Sequence, residues 1–299
     1  MAKKTERTPL KRTAATSPKR QHPTRTARPA STVRAPKVSA EFVKKEPQQK
    51  IDGELVFGVH SIVELLRAKR RRLMSIYTTK PTPRGWQQIE ALLPARGVPI
   101  QYVPREKLHE IAGTTDHQGV IAWAHPFSTR KVPFEPKRYP FLVMLDAIQD
   151  PRNLGAIIRS AYCTGANGIV LVKKNASPLN ATALKASAGL AEHLEVFVAA
   201  STQEAVQILT KSGYSLYIAS FGGTDARTVA FTSPCCLIIG SEGPGVTKGI
   251  ERHGTVITLP QRTPDISYNA SVAAGILMFL ISNQITKITA NPTMTIAQQ

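Results

Sequence analysis

The sequence has little cysteine, few acids and no long apolar run. Three cysteines cannot build a disulfide-stapled scaffold. Cys235 and Cys236 are adjacent and Cys163 stands alone, which is no ligand spacing, and the seven histidines are scattered, so no metal site is expected. All three cysteines are expected as buried apolar fillers. No stretch reads as a secretory core or a bilayer span, which argues against a membrane protein and for a cytoplasmic one. The familiar catalytic loops are missing too. Val246 follows Gly245 where a P-loop needs lysine, and nothing like Gly-x-Gly-x-x-Gly occurs around Asn153-Leu154-Gly155. No Gly-x-Ser-x-Gly elbow is present. An ATPase, a dehydrogenase and a serine hydrolase are therefore poorly supported.

What is abundant is positive charge. The 299 residues carry 39 Lys+Arg against 20 Asp+Glu, a net charge of +19, which points to a polyanionic partner, with nucleic acid the default. Residues 1–50 hold fourteen of those cations and three acids, with six prolines and Phe42 as the one aromatic. That composition cannot bury enough surface to offset its ordering entropy, so 1–50 reads as a disordered basic arm tethered electrostatically to phosphates. A solubilising tail without a specific partner is the alternative. The remaining 249 residues carry +8 and 42% of the whole chain is hydrophobic, ample for folded cores.

Two α/β units follow. In the first, at 51–126, Ile62, Leu65 and Leu66 stripe a helix over 60–69 that ends in the basic run Lys69-Arg70-Arg71-Arg72. Strands are predicted at 73–78, 98–103 and 119–124, with helices at 87–93 and 105–111. The proline-rich residues 127–139 read as a linker. In the second unit, at 140–299, strands are predicted at 141–145, 168–172, 195–198, 214–220, 236–240 and 256–259. Helices fit at 153–164, 179–189, 202–212 and 269–285. That alternation predicts a parallel sheet covered on both faces. Leu154, Ile157, Ile158 and Ala161 form one expected core stripe, and Ala273, Ile276, Leu277 and Leu280 another.

In a parallel sheet, ligands bind beyond the carboxyl ends of the strands. Three such ends are polar and bear glycine or proline: Asp146 to Arg159, Gly240 to Gly245, and Pro260 to Ser271. Asn153 and Asn269 suit helix N-caps as well as a site. Glu242, held between glycines, suits orientation of a cationic or N–H-bearing group. Arg159, six positions after Asn153, turns away from the apolar stripe and by itself reads as a solvated arginine.

Together these loops resemble the SpoU (TrmH-type) family of RNA ribose 2′-O-methyltransferases. The first motif of that family, Asn-x-Gly-x-x-x-Arg, is matched by Asn153-Leu154-Gly155-Ala156-Ile157-Ile158-Arg159. Its Gly-x-Glu-x-x-Gly loop is matched by Gly240-Ser241-Glu242-Gly243-Pro244-Gly245. Its last motif is matched by Pro260 and Ser267-Tyr268-Asn269-Ala270-Ser271, where Tyr268 replaces the usual leucine, and Gln261 and Thr263 replace methionine and glycine. Gly58-Val59-His60 and His117-Gln118-Gly119-Val120 resemble the ribosomal-protein-like RNA-binding domain fused to many of these enzymes.

The resemblance implies an α/β class fold. A SPOUT-type α/β-knot domain with a parallel sheet would follow a small ribosomal-protein-like substrate-binding domain and the basic arm. It implies S-adenosyl-L-methionine as cofactor, RNA as substrate, and a homodimer formed through the knot domain with each site completed by the partner chain. Asn153, Arg159, Glu242, Ser267 and Asn269 would be the catalytic set, and Gly240, Leu259 and Tyr268 would contact the cofactor. The implied reaction is methylation of a ribose 2′-hydroxyl, most similar to the branch acting on a guanosine of 23S ribosomal RNA. A tRNA methyltransferase, a catalytically silent RNA-binding relative and an assembly factor using the arm on an acidic partner are the alternatives.

Overall fold

The computed structural model describes residues 53–263 and 266–285, so the expected arm at 1–50 lies outside the described residues. In chain order the front unit runs β1 (Glu54–Phe57), α1 (Val59–Ala68), β2 (Leu73–Thr78), α2 (Trp86–Glu90), β3 (Ile100–Tyr102), α3 (Arg105–Ala112) and β4 (Val120–Ala124). Its sheet has the order β1-β4-β2-β3, antiparallel except for the β2–β3 pair. Four-residue β1 has no counterpart in the sequence expectations. It is too short to show a period, and its place is set by antiparallel pairing of Glu54 to Phe57 with Ala124 to Ile121.

The second unit runs β5 (Phe141–Asp146), α4 (Pro151–Cys163), β6 (Gly168–Val172), α5 (Ala181–Ala186), β7 (Glu195–Ala199), α6 (Thr202–Lys211), β8 (Ser215–Asp225), β9 (Cys235–Gly240), β10 (Thr255–Thr258) and α7 (Ala270–Ile285). Its six strands lie in the order β10-β8-β9-β5-β6-β7, and every neighbouring pair is parallel. All residues of β5, β6 and β9 are buried. They are continuous apolar runs because both of their faces are covered. The sheet order turns at β5: the chain first adds β6 and β7 on one side, then returns to place β8, β9 and β10 on the other. A crevice at the carboxyl ends of the strands forms at such a reversal.

Several expectations need correction. β8 runs five residues past its expected end, since Val256 pairs with Ile218 but Ile257 pairs with Thr224. The intervening residues of β8 bulge away from the ladder, at a point where Gly222 and Gly223 follow Phe221. The cap of α4 is Asp150, whose carboxylate accepts from the Arg152 N–H at 2.8 Å, ahead of Pro151 at the first helical position. Asp-Pro is a start signal in its own right, and it leaves the Asn153 side chain free for other partners. On α7 the buried face is Ala270, Ala274, Leu277, Met278 and Ile281, so only Leu277 of the expected stripe is buried. That helix is apolar all round, and periodicity cannot select a face from such a pattern. Cys163 is exposed, whereas Cys235 and Cys236 are buried.

Residues 127–139 do more than connect. The Arg130 N–H donates to the Val196 carbonyl of edge strand β7 at 2.7 Å, and the Phe134 and Tyr139 side chains are buried. The Arg130 guanidinium lies over both rings, 4.8 and 4.7 Å from their centroids. Prolines suit this place, because a segment along a sheet edge need not donate a full ladder of N–H groups.

The basic run after α1 also has an internal task. Arg71 is buried and grips the buried Glu192 carboxylate with Nε at 3.0 and 3.1 Å and Nη2 at 2.6 Å. Its Nη1 reaches Glu54 at 2.8 Å and the His125 carbonyl at 3.1 Å. Arg70 donates to the Leu194 carbonyl at 2.6 Å and pairs with Glu195 at 3.1 Å. Glu64 on α1 meets His193 at 2.8 Å. Two arginines of the run thus join the front unit to the turn of 3-10 helix at Leu190–His193 in the second.

Candidate active site

The carboxyl ends of β8, β9 and β10 and the start of α7 surround a cavity of about 290 Å³. Ile239, Leu259, Ala273 and Leu277 supply apolar wall, and the Gly240–Gly245 loop and the segment from Ser267 to Asn269 supply polar groups. The loop closes on itself. The Ser241 N–H donates to the Gly245 carbonyl at 2.9 Å and the Gly245 N–H returns to the Ser241 carbonyl at 3.1 Å. A Cβ at Gly240 would run into the backbone of Gly245 and Val246, so this folded-back loop requires glycine there.

A buried carboxylate holds the loop from behind. Asp146, the last residue of β5, accepts from Thr247 N–H at 2.6 Å, Thr247 Oγ1 at 3.1 Å and Thr202 Oγ1 at 2.6 Å. Asp146 was not among the residues expected to have a role. The available signal was an acid at the end of an otherwise apolar strand, where burial demands hydrogen-bond partners.

Three distant loops meet beside the cavity. Asn153, one turn into α4, donates through Nδ2 to Glu242 Oε1, and its Oδ1 accepts from Asn269 Nδ2 at 3.3 Å. The side chains joined are 89 and 116 residues apart in sequence. Asn269 also caps α7: its Oδ1 accepts from the Ser271 N–H at 2.9 Å and from Ser271 Oγ at 2.6 Å. The cap and the site therefore use one side chain. Its oxygen serves the helix and its amide nitrogen serves Asn153.

Glu242, Ser267 and Asn269 line the cavity, as do Gly240, Leu259 and Tyr268. Tyr268 is 43% exposed and donates from its hydroxyl to the Pro260 carbonyl at 3.4 Å. Arg159 is the exception. It is exposed on α4, and among the described residues it makes no hydrogen bond or ion pair. The site geometry thus gathers every expected residue except Arg159.

The position of Asn153 depends on Gly155. A Cβ at Gly155 would lie 2.5 Å from Ala186 Cβ, 2.9 Å from Ser187 N, and closer still to the Ala183 carbonyl. The missing side chain lets α4 lie directly against α5.

Comparison with known proteins accords with this arrangement. The SpoU rRNA methylase family model matches residues 140–279, and the model for RNA 2′-O ribose methyltransferase substrate binding matches residues 55–130. YacO of Bacillus subtilis, a TrmH family protein, is 35% identical over 240 residues, covering 76% of this chain and 94% of YacO. The chain belongs to the SpoU (TrmH) family. Another relative is the 23S rRNA (guanosine-2′-O-)-methyltransferase RlmB of Pectobacterium atrosepticum. It is 28% identical over 236 residues, covering 76% of this chain and 96% of RlmB. In fold, the chain is similar to an rRNA methyltransferase from Sinorhizobium meliloti, with a TM-score of 0.65 and 24% identity over 78% of this chain and 87% of that one. Of the positions expected from the sequence, Gly240, Glu242, Leu259, Ser267, Tyr268 and Asn269 line the cavity, Asn153 is bonded to Glu242 and Asn269, and Arg159 lies exposed on α4.

Proposed function

We propose that this chain transfers a methyl group from S-adenosylmethionine to a ribose 2′-hydroxyl of RNA, a guanosine of 23S ribosomal RNA being the substrate that its RlmB relatives suggest. The observation that carries this reading is the junction of Asn153, Glu242 and Asn269 at the rim of a half-apolar cavity. The cavity suits S-adenosylmethionine in kind: Leu259 and Tyr268 offer apolar surface to an aromatic ring, and the folded-back Gly240–Gly245 loop brings main-chain polar groups to its rim.

S-adenosylmethionine supplies a methyl group on a sulfonium, which is already a good leaving group. The work left to the protein is to hold the 2′-hydroxyl in line and to stabilise the charge that develops on its oxygen, and positioning alone contributes several kcal/mol, about 7–11 at best. Asn153, Glu242, Ser267 and Asn269 orient the ribose. Arg159 brings a cationic guanidinium, a donor with no acceptor, so it acts by stabilising the developing alkoxide and does not serve as the base; the hydroxyl proton passes to solvent water.

We further propose the finer architecture that family membership supports. The second unit is a trefoil-knotted domain that dimerises through α7, whose outward face exposes Val272, Ile276 and Phe279. Arg159, without a hydrogen bond or ion pair among the described residues, would work in a site completed by the partner chain. A cytoplasmic location accords with ribosomal RNA as substrate, and no described helix is long and apolar enough to cross a membrane.

The test combines calorimetry with S-adenosylmethionine and a labelled-methyl assay on total RNA, followed by mapping of the modified nucleotide. Arg159→Ala is expected to abolish methyl transfer and leave cofactor affinity nearly unchanged. Unchanged turnover in that variant refutes the assignment of Arg159, and absence of transfer by the unmodified chain to any RNA refutes the function.

A further inference from the structure

A second concave site lies on the front unit. The segment Thr79–Pro83, which leaves β2, and the segment Val103–Arg105, which enters α3, form the walls of a groove of about 360 Å³ floored by Gly119. Each wall carries one cation, Lys80 on the first and Arg105 on the second, and both are exposed. Neither makes a hydrogen bond or an ion pair among the described residues. They contrast with Arg70 and Arg71 in the same unit, whose charges are consumed by Glu195 and Glu192.

The groove is flanked by an aromatic ring. Tyr102, the last residue of edge strand β3, is 48% exposed, and Lys80 Nζ stands 4.2 Å from its ring centroid. An exposed ring on a sheet edge with one cation on its face and a second lining the adjoining groove, neither with a carboxylate partner among the described residues, has the chemistry of a nucleotide site. A base stacks on an aromatic face whatever its sequence, and the cations meet the flanking phosphates. Lys80 now occupies the face of Tyr102. A base arriving there displaces the ammonium, which is then free to pair with phosphate at the groove mouth.

We propose that this groove binds single-stranded RNA, with one base stacked on Tyr102 and the adjacent phosphates held by Lys80 and Arg105. The inference rests on the reading of RNA as substrate and names the residues by which the front unit takes it. The three prolines of the walls, Pro81, Pro83 and Pro104, help to keep the groove open by restricting their backbone. Base stacking selects unpaired nucleotides, so the groove recognises a loop or bulge and discriminates against a continuous duplex.

The test is fluorescence anisotropy of the full chain with a labelled single-stranded RNA oligonucleotide and with the same sequence as a duplex. It is run at elevated salt to reduce the contribution of the basic residues 1–50. Tyr102→Ala is expected to weaken single-strand binding about tenfold to a hundredfold, the range that loss of one stacked base produces, and to leave duplex binding unchanged. Tyr102→Phe keeps the ring and restores single-strand affinity. Lys80→Gln with Arg105→Gln is expected to lower the log–log salt slope by about 0.7 per lost phosphate contact. All of these side chains are exposed, and circular dichroism checks that each variant is folded. Unchanged single-strand affinity in Tyr102→Ala overturns the proposal, as does an equal loss for duplex. The labelled-methyl assay separates the two readings: methyl transfer by the unmodified chain together with an inert Tyr102 removes this groove and leaves the methyltransferase standing.

Discussion

Gly155 ties packing to catalysis most directly, and Gly155→Ala isolates that link. The added Cβ would lie 2.5 Å from Ala186 Cβ and 2.9 Å from Ser187 N, whereas carbon atoms pack comfortably at about 3.5–4.0 Å. The obstructing atoms are backbone and a Cβ, which cannot swing aside as a long side chain would. Relief therefore requires α4 and α5 to separate by about 1 Å. Overpacking of this kind costs about 1–3 kcal/mol of stability. Asn153 lies two residues before Gly155 on α4 and would be carried away from Glu242 and Asn269, to which it is bonded. Misplacement by about 1 Å can lower a rate about a hundredfold. Urea unfolding measures the first effect, and single-turnover methyl transfer at saturating S-adenosylmethionine measures the second. A Gly155→Ala variant with native stability and native turnover would refute the reasoning. A stable variant with impaired turnover would instead assign Gly155 a role in the site itself.

Glu192→Leu leaves the Arg71 guanidinium buried with Glu54 and the His125 carbonyl as its remaining partners, and is expected to cost about 3 kcal/mol, the lower end for breaking a buried pair. Urea titration should show that loss, and Arg71→Met in the same chain should recover most of it. Burial, reinforced by His109 and Arg105, holds His117 below the ordinary histidine range. The unfolded chain then binds its proton first, so stability is complete above about pH 6.5 and declines as the pH falls below it. Unfolding midpoints between about pH 5 and pH 8 should show this decline, and it should flatten in His117→Gln. Among the cysteines, exposed Cys163 should react with a thiol reagent in the native protein. Burial pushes the Cys235 thiol up to about 12 and Cys236 upward as well, so these two should react only on unfolding.

Local chemistry was legible wherever a period or a breaker was strong. The striped helix after Gly58, the apolar runs of β5, β6 and β9 and the parallel order of strand and helix are written in hydrophobic spacing, which operates over a few residues. Motif order also identified the family, because Asn153, Glu242 and Asn269 keep their intervals in the chain. Other features depend on which surface covers which. The outward turn of Ile276 and Phe279 on α7 could not be read from a helix apolar on every side. Asp146 became a support only when β5 brought it under Thr247, and the Asn269 side chain could be both cap and site residue only once Asn153 stood opposite. Arg71 shows the same division most clearly. In sequence it is one of four consecutive cations and looks like a solvated charge. In the fold it is buried against Glu192, 121 residues away, because a carboxylate there is the partner that makes its burial tolerable. The sequence alone determined most of the strands and helices, the excess charge and the family. The tertiary structure alone decided which charges are consumed within the protein and which, such as Lys80 and Arg105, have no carboxylate partner among the described residues, because pairing depends on distances that the chain sets only by folding.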